Sequence, residues 1–145
     1  MSRKDTYHNI VKEALNKGGW TITHDPYMLK TDPRLAVDLG AERVIAAEKG
    51  TEKIAVEIKS FLRTSQIADL EDAIGQYSIY KLFIQRQEPE RTLYLAVPTY
   101  AFENILSRQV GRVTIRSLKI NVIVYSLLPE EPLQWKNPEN FTNNV

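Results

Sequence analysis

The chain has no cysteine, which excludes disulfide scaffolds, thiol nucleophiles and thiolate zinc sites. Glycine is scarce, 6 in 145 residues, and the six form neither a phosphate-cradling loop nor a dinucleotide fingerprint. There is no Gly-x-Ser-x-Gly elbow, and His8 and His24 do not have the spacing of metal ligands on a helix. An excess of charge of one sign is also missing. The 19 Lys and Arg stand against 18 Asp and Glu, so any contact with nucleic acid has to come from a local site rather than a basic coat. No run approaches the ~18 apolar residues of a membrane span. The opening Met1-Ser2-Arg3-Lys4-Asp5 leads into no apolar segment, so no secretory signal, no membrane partner and a cytoplasmic location are expected.

What is present is the composition of an ordinary globular domain, 43% hydrophobic and 26% charged, in a chain long enough for one core. Tyr7, Ile10, Val11, Ala14 and Leu15 recur at helical spacing over residues ~3–17, with Ser2 or Asp5 as cap and Gly18-Gly19 as stop. Strands are expected at 20–23, 34–39, 44–48 and 53–59, the last two joined by a turn at Lys49-Gly50-Thr51-Glu52. Thr64 or Ser65 caps a long helix to about Gln87, whose apolar stripe is Ile67, Leu70, Ile74, Tyr77 and Ile84. Residues 93–97 and 120–127 read as buried strands flanking a helical stretch at ~100–118 that breaks near Gly111. A short edge strand at 133–135 and a loose polar tail over 137–145 complete the reading. The order implies a single α/β domain over residues 1–136, a mixed β-sheet flanked by helices.

The chemistry concentrates in Asp38 and the strand Val56-Glu57-Ile58-Lys59. Glu57 and Lys59 are two apart on a strand and so share a face. If the strand that carries Asp38 is a neighbour, the three side chains converge. Two carboxylates brought together resist ionisation, and an oxygen-preferring divalent cation, Mg²⁺ or Mn²⁺, relieves the conflict. An adjacent ammonium then positions a water or stabilises charge on a phosphoryl group. The plain alternative is a solvated strand face with a cross-strand ion pair. Arg108, Arg112 and Arg116, spaced by four, with Lys119 three beyond, would form a basic ridge along a phosphate backbone if helical; the alternative is a solvated face. Glu42 and Glu48 near the hairpin are either additions to an acidic pocket or surface carboxylates.

Asp38 followed by Glu57-Ile58-Lys59 resembles the PD-(D/E)xK nuclease signature, with Val37 where a proline is usual. That resemblance implies a restriction-endonuclease-like fold. It also implies supporting roles for a first-helix glutamate, here Glu13, and for a helical glutamine with a tyrosine downstream, here Gln76 and Tyr80. A more extensive likeness runs from about Tyr7 to Trp135. The phrases Gly19-Trp20-Thr21-Ile22-Thr23-His24-Asp25-Pro26, Asp38-Leu39-Gly40-Ala41-Glu42, Ile45-Ala46-Ala47-Glu48-Lys49-Gly50, Ile54-Ala55-Val56-Glu57-Ile58-Lys59-Ser60-Phe61 and Leu93-Tyr94-Leu95-Ala96-Val97-Pro98 look like the XisH family of fdxN-element excision controlling factors. The resemblance implies a controlling role in programmed DNA excision, with DNA, a small XisI-like protein and a site-specific recombinase as partners; a homodimer is also expected of this fold. Three readings follow. One is a metal-dependent nuclease in which Asp38 and Glu57 hold the metal, Lys59 positions water, and Gln76 and Glu13 assist. The second is a non-cleaving module on the same fold that binds a partner protein. The third is a factor that only bends DNA.

Overall fold

The computed structural model describes residues 3–46, 50–128 and 130–142. Helix α1 (Arg3–Lys17) is followed by strands β1 (Thr21–His24), β2 (Tyr27–Leu29), β3 (Leu35–Val37), β4 (Leu39–Ala46) and β5 (Gly50–Ile58). Then come α2 (Gln66–Gln87), β6 (Arg91–Pro98), α3 (Thr99–Ala101), a π-helical turn (Phe102–Leu106) and α4 (Gln109–Ser117). Strands β7 (Val122–Tyr125) and β8 (Gln134–Lys136) and a 3₁₀ turn (Pro138–Asn140) close the chain. The main sheet has six strands in the order β1-β4-β5-β6-β7-β8; β2 and β3 form a separate hairpin. β5, β6 and β7 run parallel, and the outer pairs are antiparallel. The expected mixed sheet flanked by helices is what forms.

The two sheet faces bury different residues. Leu93, Leu95, Val97, Val122 and Val124 pack against Leu70, Ala73, Tyr77 and Ile84 of α2 and against Ile105, Leu106 and Ile115. On the other face Ile54, Val56, Ala96, Ile123 and Tyr125 meet Val11 and Leu15 of α1. Burial on both faces is why β6 and β7 read as near-continuous apolar runs.

Several expectations change. Residues 34–39 are not one strand with Leu35, Val37 and Leu39 on a common face. The chain bends at Asp38, so Val37 packs into the α2-side core and Leu39 into the α1-side core. The strand expected at 44–48 begins at Leu39, and residues 27–29, expected as loop, pair with β3. The helical stretch after β6 breaks at Ser107–Arg108 rather than at Gly111. Gly111 lies inside α4, at a position that requires glycine because a Cβ there would sit 2.3 Å from the Ile105 carbonyl oxygen and 2.5 Å from Leu106 Cα. Residues 137–142 are not a loose tail: Phe141 and Pro138 are buried, and Arg116 donates to the carbonyls of Glu139 and Phe141 at 3.0 and 2.9 Å. Helix α1 already starts at Arg3, ahead of Asp5; Ser2, Glu48, Lys49 and residues 143–145 lie outside the described residues.

Candidate active site

β4 pairs with β5 with Leu39 opposite Val56, which sets Asp38 beside Glu57. Alternation along β5 sends Ile54 and Val56 to the α1-side core, leaving Ala55 and Glu57 on the other face. The bend at Asp38 is held by two reciprocal hydrogen bonds. The Asp38 N–H donates to Glu57 Oε1 at 3.2 Å, and Asp38 Oδ2 accepts from the Ile58 N–H at 2.7 Å. Lys59 Nζ lies 3.4 Å from Glu57 Oε2. The structure therefore brings Asp38, Glu57 and Lys59 together, as their spacing suggested.

Burial pushes the Glu57 carboxyl up to about 7, with the Asp38 charge adding to the effect and the Lys59 ammonium opposing it. Glu57 is 6% exposed. A carboxyl so placed keeps its proton to higher pH than an ordinary glutamate and gives it up more readily once a cation compensates the pair.

Lys59 is fixed through its backbone. Its N–H donates to the Ala96 carbonyl at 2.9 Å, and its own carbonyl accepts from the Tyr125 hydroxyl at 2.8 Å. The Tyr100 hydroxyl donates to the next carbonyl, that of Ser60. Phe61 then turns the chain with φ of 53°, a conformation an L-residue holds only when its surroundings impose it; here its side chain is buried in the core. Nothing in the spacing of Tyr100 or Tyr125 pointed to this role, because both reach the site only through the packing of β6, β7 and the turn after β6.

A cavity of about 280 Å³ opens beside these residues. Asp38, Lys59 and Gln76 line it, as do Tyr7 and His8 of α1 and Arg63. Gln76 Oε1 is buried and has no hydrogen-bond partner among the described residues. An orphaned carbonyl oxygen in the cavity that Asp38 lines, with the Glu57 carboxyl bonded to the Asp38 amide, makes a donor set of the hard-oxygen kind that Mg²⁺ or Mn²⁺ takes, so these residues fit such an ion. Among the described residues no cluster of three or more His, Asp or Glu side chains forms a metal site, so protein ligands would be few. Tyr80, four residues after Gln76, packs against the core; burial, then the Glu57 and Asp38 charges, raise its hydroxyl above the usual value.

The remaining candidates lie elsewhere. Glu13 is exposed on α1 and lines a separate small cavity with Tyr125, Ser126 and Glu131. Glu42 faces Arg91, 3.7 Å away. His24 bonds Thr23 Oγ1 at 2.9 Å and stacks edge-on against Tyr27. The basic ridge does not present four free cations. Arg112 donates to Thr142 Oγ1 and the Ser107 carbonyl, and Arg116 holds the 139–141 segment; only Arg108 and Lys119, at the two ends of α4, stand exposed.

The fold and site define a mixed α/β domain in which a half-buried aspartate just before β4 meets a buried glutamate near the end of β5 and the lysine just past it. The XisH family model matches residues 1–132, and the chain belongs to the XisH family. It is 37% identical to an XisH family protein from Nostoc punctiforme, whose crystal structure superposes with a TM-score of 0.80 over 92% of this chain and 100% of that one. It is 35% identical to an fdxN element excision controlling factor protein from Anabaena variabilis, with a TM-score of 0.78 over 90% of this chain and 98% of that one. No curated protein matches the chain.

Proposed function

We propose that this XisH-family protein acts in controlled excision of a DNA element, as the name of its Anabaena variabilis relative describes for that protein, and that its site hydrolyses phosphodiesters in DNA with Mg²⁺ or Mn²⁺. The observation that carries the reading is the Asp38–Glu57 pair, cross-linked through backbone amides, with Glu57 held near neutrality and Lys59 against it. A surface ion pair needs no buried second carboxylate. Burying like charges side by side costs folding stability and is found where a cation or a proton is to be handled.

In this reading Asp38, Glu57 and the Gln76 carbonyl oxygen would hold the metal. The ion, when bound, supplies Lewis acidity toward a phosphoryl oxygen. The Lys59 ammonium, steadied by Tyr125 and Ala96, orients water and offsets the charge that builds on the phosphate. Arg63 stands at the cavity between Asp69 and Asp72 and would meet the flanking phosphate by exchanging those partners. A small XisI-like protein, a recombinase and a second copy of the chain are the proposed partners. The test is incubation of the pure protein with supercoiled, linear, single-stranded and branched DNA in Mg²⁺ or Mn²⁺, beside Glu57→Ala and Lys59→Ala. Cutting that needs the metal and vanishes in both variants supports the proposal. No cutting, with folded variants, sinks it.

A second reading, a non-cleaving partner-binding module, draws on one observation. Residues 43–45 of β4 and 50–52 of β5 extend past the pairing of β1 and β6 and expose Val44 and Ile45, at 72% and 56%. Apolar side chains on a projecting hairpin suit a protein partner.

A further inference from the structure

We propose that His8, oriented by Asp25, is the base that takes the proton of the attacking water in this site; the inference rests on the phosphodiester-cleaving reading above. His8 projects from α1 into the cavity that Asp38, Lys59 and Gln76 line from the sheet and α2. Its Nε2 lies 2.8 Å from Asp25 Oδ1, and the other Asp25 oxygen accepts from Lys12 Nζ at 2.6 Å. Burial pushes the Asp25 carboxyl up, but the hydrogen bonds and charges of Lys12 and His8 outweigh it and hold Asp25 below its ordinary value. An ionised carboxylate can only accept, so in the neutral ring Nε2 carries the hydrogen and Nδ1 keeps its lone pair. Nδ1 has no hydrogen-bond partner among the described residues.

The other groups around the cavity are engaged or chemically unsuited to the task. The Lys59 ammonium has no lone pair while it pairs with Glu57, and Arg63 does not deprotonate. Asp69 and Asp72 are occupied by Arg63, and Asp38 accepts from the Ile58 amide. The His8 imidazole, in its unprotonated form, is the base left over, with a carboxylate behind it to fix its tautomer and to stabilise the cation it becomes.

In the step, the water oxygen bonds to phosphorus while one of its protons passes to His8 Nδ1. The bond from phosphorus to the leaving oxygen breaks, and that oxygen takes a proton from solvent. His8 then returns its proton to solvent, so the protein ends unchanged. His8 is thus a catalytic residue, and Asp25 is a positioning residue that acts through it.

The test compares wild type, His8→Gln, Asp25→Asn and Lys59→Ala. Ring-nitrogen NMR shifts of the metal-free protein read the tautomer without any activity. Wild type is expected to show His8 with Nε2 protonated and Nδ1 bare, a preference lost in Asp25→Asn. DNA cleavage in Mg²⁺ or Mn²⁺ is expected to fall about 10²-fold or more in both His8→Gln and Asp25→Asn, while DNA affinity measured in Ca²⁺ stays within about twofold of wild type. Wild-type and His8→Gln rates within about twofold of each other, with Lys59→Ala inactive, would overturn the His8 proposal and leave the nuclease reading standing. A wild-type His8 protonated on Nδ1 would overturn it too. Wild type that cuts no DNA overturns both.

Discussion

Asp38 and Glu57 are joined through each other's strands: the Asp38 amide donates to the Glu57 carboxylate while the Asp38 carboxylate takes the amide of Ile58, one residue past Glu57. The carboxylates are therefore held together by backbone and cannot swing apart to relieve their repulsion. Stability, metal affinity and pH response all follow from that constraint.

Because the Glu57 carboxyl is raised from 4.5 to about 7, the folded protein holds a proton between those values that the unfolded chain has released. Stability therefore falls as pH rises through that window, by up to about 3 kcal/mol for one carboxyl. Glu57→Gln keeps the shape and removes the charge. Urea unfolding at pH 5 and pH 8 should show wild type losing stability and Glu57→Gln losing much less. Equal losses in the two proteins would contradict the assignment.

Mg²⁺ or Mn²⁺ should raise the melting temperature of wild type at pH 8 more than at pH 5, since the ion competes with the proton on the same pair. The difference should vanish in Glu57→Gln. Calorimetry in two buffers of different ionisation heat would show proton release on binding.

Gln76→Met replaces a buried carbonyl oxygen that has no partner with an apolar chain of similar length. Leaving such a group unsatisfied costs about 1–3 kcal/mol, so the variant should be more stable without metal and bind metal more weakly. A variant that loses stability in metal-free buffer would mean that Gln76 serves the core instead.

Tyr125→Phe removes the hydroxyl that holds the Lys59 carbonyl at 2.8 Å. Denaturant unfolding should report a loss of about 1 kcal/mol. If Lys59 works as proposed, cleavage should fall further than stability alone explains.

Gly111→Ala would drive a methyl onto the backbone of Ile105 and Leu106, which cannot yield without moving the π-helical turn. A loss of about 3 kcal/mol is expected. Gly75, mid-way along α2, has nothing within 4 Å of a built Cβ, and Gly75→Ala should stabilise by roughly 0.5–1 kcal/mol. Thermal melts of the pair should move in opposite directions.

Much of this protein was legible in its amino-acid order because the relevant physics is local. Alternating Ile54, Val56 and Ile58, the Ser65 cap of α2 and the doubly apolar runs of β6 and β7 follow from periodicity and capping alone. The Glu57-x-Lys59 spacing fixed a shared face, and Asp38 met it once β4 lay beside β5. Other features depend on contacts between distant segments. Whether Gly111 breaks a helix or permits a close crossing depends on what packs over it, and the π-helical turn comes within 2.3 Å of where its Cβ would be. Arg112 and Arg116 have the periodicity of a phosphate-tracking ridge, yet the returning chain at 139–142 takes up their hydrogen bonds. Asp25 reaches His8 across 17 positions, and Tyr125 reaches Lys59 across 66. Sequence spacing sets which side chains share a face of one element; which faces meet, and which buried polar groups are left without a partner, is decided only when the elements pack.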